Sequence, residues 1–278
     1  MPELPELQAH AERLDSAFAG AALERFMPLT FTALKTATPD PAAAEGAAVV
    51  FVGRRGKYLL LDLGTVTFVV HLMQGGRLRG DEKQATKPRG GIARWTFDDG
   101  RALLLTEAGT ERKAGIWVVD GDPEAQEPLA GLGPDADLLD ATTLTDVLVA
   151  HPMRLHGFLR DQRIVAGIGR RLANEVCHRA RLSPFAHTAK LDRTQVEQLI
   201  EAVRTCIAES LAGERGRDDM VKSAEREGNV HHRVGEPCPV CGDTIRSVVY
   251  RAYTVAYCPT CQTAGKVLAD NTTSKFLK

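Results

Sequence analysis

The sequence predicts an α+β chain: a β-sandwich-like N-terminal domain with a leading helix, followed by a helical domain that closes on a cysteine-held hairpin. Three observations carry this. Short apolar runs split by turn signals crowd residues 47–120. Helical periodicity replaces them from about 136 to 212. Near the C-terminus four cysteines stand as C-x2-C-x16-C-x2-C.

The leading helix is read over 3–18, where Leu7, Ala11, Leu14 and Phe18 share a face. Its start, MPELPE, suits a first turn, because proline tolerates that position and acids favour the positive end of the helix dipole. Glu3 and Glu6 are three apart and project the same way. The segments AVVFV, KYLLLDL, VTFVVHL, ARWTF, ALLLT and GIWVV read as strands, divided by turns such as QGG and DDG. DGDPEAQEPLAGLGPDADL, rich in proline, glycine and acids, reads as a linker.

Helices then follow in LTDVLVAHPM, LANEVCHRARL and LDRTQVEQLIEAVRTCIAESLAG. The last carries Val196, Leu199, Ile200, Val203, Ile207 and Leu211 at helical spacing. Residues 213–232 are polar, lack apolar periodicity and read as a mobile loop. The expected boundaries are 1–121 for the β-rich domain, 122–135 for the linker, 136–232 for the helical domain and 233–278 for the cysteine hairpin.

Composition limits the function classes. With 44% hydrophobic residues in 278, the chain can bury a sizeable core. No apolar run approaches a membrane span and no secretion signal opens the chain, so a cytoplasmic location is expected. The formal net charge is −1, but it is unevenly spread. From His151 onward there are 20 Lys and Arg against 14 Asp and Glu; before it, 15 against 22. Arg154 to Arg181 holds seven arginines and two acids, a balance suited to phosphate contact as well as to a solvated helix face.

In a chain without a secretion signal the cysteine spacing reads as a tetrahedral site for one structural zinc, through Cys238, Cys241, Cys258 and Cys261. Cys177 and Cys206 fall inside helical patterns and read as ordinary buried thiols.

Four motifs, in order, resemble one family, the formamidopyrimidine-DNA glycosylase and endonuclease VIII group. PELPE is similar to its N-terminal signature. GRRGKYLLLDL resembles its strand-turn-strand segment bearing a lysine, here Lys57. DQRIVAGIGRRLANEVCHRARLSP resembles its helix–two-turn–helix DNA-binding motif, and VGEPCPVCGDTI…CPTCQ its terminal zinc finger.

The resemblance implies a bifunctional DNA glycosylase and abasic-site lyase of base-excision repair, working as a monomer. Its partner would be duplex DNA carrying a damaged base or abasic site, held between the β-rich and helical domains with the damaged base flipped out. Once Met1 is trimmed, the secondary amine of Pro2 would attack C1′ and form a cationic imine that acidifies the adjacent sugar proton. Glu3 would act as general acid/base, Glu6 would support the charge and hydration of the site, and Lys57 would bring a cation to phosphate or opened sugar. Gly169 and Arg170, at the GIG–helix junction, would hold a phosphate, with His71 near the DNA backbone.

Three departures from the family pattern accompany the match. HLMQGG replaces HLGMSG, so Met73, the residue expected to fill the void left by the flipped base, stands one place early. The wedge loop reads LTEAGTERKAG, with Arg112 but with Ala114 where an aromatic is expected. The hairpin tip reads SVVYRAYTVAYC, with Arg251 and Thr254 three apart. Arg251 would supply the cation for the second elimination step, and its offset predicts that β-elimination outpaces δ-elimination. Oxidised purines, oxidised pyrimidines, bare abasic sites and bulkier adducts all stay open as substrates. Two other readings compete: a non-catalytic damaged-DNA-binding protein of the same fold, and a zinc-ribbon interaction protein.

Overall fold

The computed structural model describes residues 1–109, 112–221, 225–250 and 253–268. It forms two compact units, Met1–Gly131 and Leu132–Lys278.

The first unit runs α1 (Leu4–Phe18), β1 (Leu23–Pro28), β2 (Phe51–Arg55), β3 (Tyr58–Asp62), β4 (Thr67–His71), β5 (Gly76–Gly80), β6 (Gly91–Phe97), β7 (Ala102–Glu107) and β8 (Gly115–Val119). The strands build two four-stranded antiparallel sheets, in the orders β1-β6-β7-β5 and β2-β3-β4-β8. Phe26 and Trp95 of one sheet meet Phe68 of the other, with ring centroids 5.1–5.7 Å apart. All three rings are buried. Burying each contributes roughly 1.5–3 kcal/mol relative to exposure.

The two strands that the apolar runs do not mark, β1 and β5, are the two edges of one sheet. An edge strand has a neighbour on one side only and tolerates charge and glycine, both of which LERFMP and GRLRG carry between them.

Helix α1 buries Leu4, Leu7, Leu14 and Phe18. Polar bonds fix its position. Asp15 Oδ1 accepts the Val52 N–H at 2.7 Å, Arg54 Nε donates to Gln8 Oε1 at 3.0 Å, and His10 Nε2 donates to the Leu78 carbonyl at 2.7 Å. The body of the helix is therefore held to both sheets.

The second unit contains α2 (Ala141–Ala150), α3 (Leu155–Arg160), α4 (Arg170–Arg179), α5 (Arg193–Arg215), the hairpin β9 (Arg246–Val249) and β10 (Thr254–Tyr257), and a short α6 (Pro259–Thr263). Helix α2 ends before Pro152, which the sequence reading had included; proline disfavours helix in the residue before it. Helix α5 starts at a capping box, in which Asp192 accepts the Gln195 N–H and Gln195 accepts the Asp192 N–H.

Candidate active site and metal centre

The head of α1 is polar yet enclosed. Glu3 is 4% and Glu6 0% exposed, and Pro2 is buried beside them. Glu3 is the N-cap, and Glu6, at the third helical position, accepts its backbone N–H at 2.6 Å. Sequence reasoning gave Glu6 to the charge and hydration of the site; the geometry adds that it fixes the backbone carrying Pro2 and Glu3.

Lys57 and His71 are brought to neighbouring strand ends by the register. Arg55 pairs with Tyr58, leaving Gly56-Lys57 as a two-residue hairpin turn, and Tyr58 pairs with His71. Gly56 has φ +55°, the left-handed value that this tight turn requires at its first central residue. Both Lys57 and His71 are about nine-tenths buried. Burial, reinforced by the positive charges of Lys57 and the chain's N-terminus, pushes the His71 imidazole down to about 4. His71 is thus neutral near pH 7, and the amine, Lys57 and His71 share one electrostatic neighbourhood. The Tyr58 ring meets His71 edge-on at 4.7 Å, and burial, with a smaller contribution from Glu127, raises its phenol.

Met73 follows in the β4–β5 turn, half-buried, with φ +51°. Its amide donates to His71 Nδ1 at 3.1 Å. The turn closes where Gly76 N–H meets the Leu72 carbonyl at 2.8 Å, and a Cβ at Gly76 would lie 2.2 Å from that oxygen. The loop between β7 and β8 is gathered at its base by buried Glu107, whose Oε2 accepts the Ala114 N–H at 2.8 Å. Ala108 N–H reaches the Gly75 carbonyl at 3.4 Å, so the Met73 turn and this loop are neighbours. Arg112 is exposed on the loop, while Ala114, where an aromatic was expected, is buried.

In the second unit, Gly169 caps α4 and Arg170 is its first residue. Gln162 holds the preceding glycine turn: its Oε1 accepts the Gly167 N–H at 3.0 Å and its Nε2 donates to the Ile168 carbonyl at 2.8 Å. Several arginines of the basic run have local duties. Arg171 is 6% exposed and donates to Ser210 Oγ on α5, Arg163 pairs with Asp161, and Arg179 pairs with Glu209. Arg160 lies over the Tyr253 ring at 4.2 Å.

The four predicted cysteines converge. Cys238 and Cys261 sulfurs are 3.9 Å apart, and those of Cys241 and Cys258 are 3.4 Å apart. A tetrahedral Zn–S4 site with 2.3 Å bonds has S···S edges of about 3.8 Å, so this donor set fits one structural zinc and leaves no place for water. Two knuckle turns present the thiols, through Gly242 N–H to the Cys238 carbonyl and Gln262 N–H to the Cys258 carbonyl. Asp243 joins the knuckles by accepting from both Thr260 N and Thr260 Oγ1. A ring nitrogen of His178 and the sulfurs of Cys238, Cys258 and Cys261 also lie within 4.8 Å of one another. Cys177 and Cys206 are buried elsewhere; burial raises both thiols, Cys206 to about 11.

Three family models match in succession: the formamidopyrimidine-DNA glycosylase N-terminal domain over residues 1–116, the formamidopyrimidine-DNA glycosylase H2TH domain over 130–220, and the zinc finger found in FPG and IleRS over 235–264. The formamidopyrimidine-DNA glycosylase of Chloroflexus aurantiacus is 32% identical over 279 residues, covering 94% of this chain and 98% of that one. The chain belongs to the formamidopyrimidine-DNA glycosylase family.

A formamidopyrimidine-DNA glycosylase-like protein of Mycobacterium tuberculosis is 41% identical over 149 residues, 53% of this chain and 94% of its own. The crystal structure of the MutM (Fpg) protein from Thermus thermophilus superposes with a TM-score of 0.80 at 28% identity, covering 94% of this chain and 98% of that one. The Lactococcus lactis formamidopyrimidine-DNA glycosylase bound to abasic-site DNA shares the fold, with a TM-score of 0.82 at 19% identity over 94% and 99% of the chains. The sandwich with its leading helix, the helix–two-turn–helix region and the zinc finger are thus the architecture of this family.

Of the expected site residues, Pro2, Glu3 and Glu6 sit together at the head of α1, and Lys57, His71 and Met73 sit at adjoining strand ends of the same unit. Arg251 lies outside the described residues. Sequence reasoning missed Gln162, Glu107 and His178. Glu107 closes an apolar run and could have been noticed there, whereas Gln162 and His178 stand among charged residues that give them no distinguishing signal.

Proposed function

We propose that this member of the formamidopyrimidine-DNA glycosylase family is a bifunctional glycosylase and abasic-site lyase acting on duplex DNA with a damaged base or an abasic site. The observation that carries the reading is the buried head of α1, where Glu6 fixes the backbone of Glu3 beside Pro2, in a region whose amine charge is felt by His71 together with Lys57. Both carboxyl groups serve a capping box, but capping works equally well at a solvent-exposed helix start, and enclosing the pair adds a desolvation cost that capping does not need.

After removal of Met1, the Pro2 nitrogen attacks C1′ of the flipped nucleotide. The C1′–N bond to the base breaks, and the departing base takes a proton. Loss of a proton from Pro2 and opening of the sugar ring leave a cationic imine, and Glu3 is the proton carrier for these transfers. The imine then accepts the electron pair of the C2′–H bond as the proton leaves and the 3′ phosphate is expelled. Lys57, already within the cationic group around His71, stabilises phosphate charge in that step. His71 donates from Nε2, Met73 and Arg112 occupy the vacated base position, and Gly169 and Arg170 at the head of α4 grip a backbone phosphate. Arg251 assists a second elimination. The zinc ion, enclosed by thiolates, has no part in the chemistry and shapes the hairpin.

The test is borohydride trapping on abasic duplex DNA with peptide mapping by mass spectrometry. The adduct is expected on the Pro2 nitrogen, and Pro2→Gly should keep duplex affinity while losing most strand cleavage. An adduct mapped to Lys57 would overturn the nucleophile assignment. Binding with no adduct on any lesion would favour a non-catalytic damage binder.

A further inference from the structure

Helix α4 presents a polar stripe, Asn174, Glu175 and His178, and all three are buried. This stripe is bonded to the segment that leads into the zinc hairpin. Glu175 accepts three backbone N–H groups, from Asn229 at 2.7 Å, Val230 at 3.1 Å and His231 at 2.9 Å. Asn174 Nδ2 meets His231 Nδ1 at 2.8 Å. A Cβ at Gly228 would come within 2.9 Å of Glu175 Oε1, so a side chain there would push the carboxylate away from these amides. One turn further along α4, His178 Nε2 lies 3.3 Å from Cys238 Sγ, and His178 is 4% exposed.

Zinc takes four ligands, and the cysteine quartet already supplies four thiolates at suitable spacings. The imidazole is therefore a fifth donor group around a four-coordinate ion, and 3.3 Å suits an N–H···S hydrogen bond. We infer that His178 is a positioning residue for the metal centre: its Nε2–H donates to the zinc-bound Cys238 thiolate, tying the metal to the helix that begins at Gly169 and Arg170. Such outer bonds draw electron density from the ligand, orient it and slow metal loss. Loading of the site is thereby transmitted to α4 through a ligand atom rather than through apolar packing alone. This rests on the chain holding zinc and is independent of the proposed glycosylase chemistry.

Replacement of zinc by Co2+ in the full-length protein tests the inference without reference to activity. The wild type should give the absorption of a four-thiolate tetrahedral site. His178→Phe should keep that donor set, move the thiolate-to-cobalt charge-transfer band to lower energy, and speed zinc loss to a chelator by about tenfold. His178→Gln, whose amide N–H can reach the same sulfur, should restore both. A three-sulfur, one-nitrogen spectrum in the wild type would make His178 a ligand and overturn the inference. So would a His178→Phe protein with unchanged band and release rate. Should His178→Phe fail to fold, cadmium-113 NMR of the substituted wild type decides: a proton on Nε2 coupled to the metal through sulfur supports the bond. A proton-free Nε2 coupled directly, or an Nε2 with no coupling, refutes it.

Discussion

The Met73 amide donates to Nδ1 of His71 at 3.1 Å, and this bond decides where the imidazole carries its proton. An amide N–H can only donate, so Nδ1 accepts, and the neutral ring of His71 holds its hydrogen on Nε2. Met73 itself sits in the left-handed region at φ +51°, uncommon for a residue with a side chain, at the start of the turn that carries this bond. The β4–β5 turn and the protonation state of His71 are one structural feature.

The pH dependence follows. His71 is lowered to about 4 in the folded chain, chiefly by burial, against an ordinary value near 6.5. Between these values the unfolded chain binds the extra proton and the folded chain does not, so stability falls as pH drops from about 6.5 toward 4 and is unaffected by this group above 6.5. The full effect is about 3 kcal/mol. Chemical denaturation at pH 7.5 and pH 4.5 should show this loss, and His71→Gln should reduce it. Equal pH slopes in the two proteins would show that other groups govern acid sensitivity.

At the head of α1, Glu6→Ala removes the acceptor for the Glu3 N–H in a fully buried position. Leaving that donor unmet costs about 1–3 kcal/mol. Glu6→Gln retains an acceptor oxygen and should cost less. If Glu6 serves by fixing Pro2 and Glu3, borohydride trapping should fall in Glu6→Ala and recover in Glu6→Gln. If the charge itself is required, both variants lose trapping while only the first loses stability.

What the sequence made legible tracks how strongly each residue's type limits its surroundings. The central strands appear as apolar runs because both faces or ends are buried, as in β4 and β6. The edges β1 and β5 escape the pattern because their own sequences carry charge and glycine, which an edge position tolerates; β2 and β8, the edges of the other sheet, keep apolar runs and stay visible. The metal centre is visible because thiol pairs at that spacing have few other uses. The arginine run is less transparent. Charge counts mark a basic stretch, but whether an arginine faces phosphate or clamps a neighbouring helix depends on tertiary partners, as Arg171 on Ser210 shows. His178 is hidden for the same reason: Cys238, sixty positions away, gives it a purpose.

Glu175 should control the approach to the zinc hairpin. Its carboxylate collects three amides of residues 229–231, and Val230 packs in the small core with Cys238, Ile245, Ala256 and Cys258. Glu175→Ala strands those amides and is expected to cost about 3 kcal/mol. Hydrogen exchange should show amides 229–231 losing protection while the amides of α1 keep theirs. Unchanged protection at 229–231 would mean that the hairpin core alone holds the segment.

Two adjacent arginines at the start of α4 offer the sharpest contrast. Arg170 is the first residue after the Gly169 cap, where backbone N–H groups and the helix dipole favour an anion. Arg171 turns inward, 6% exposed, and donates to Ser210 on α5. If the head of α4 grips a DNA phosphate, Arg170→Ala removes one phosphate contact and its released counterion. Affinity for every duplex should then fall alike, and the log–log salt slope should shrink by about 0.9. Arg171→Ala leaves the phosphate grip intact but takes away a buried tether between helices, so the slope should hold while stability drops by about 1–3 kcal/mol. Binding isotherms from low to moderate salt, paired with denaturation curves, separate the two effects. A slope that changes in Arg171→Ala and holds in Arg170→Ala would reverse the assignment and place the phosphate on the other face of the helix start.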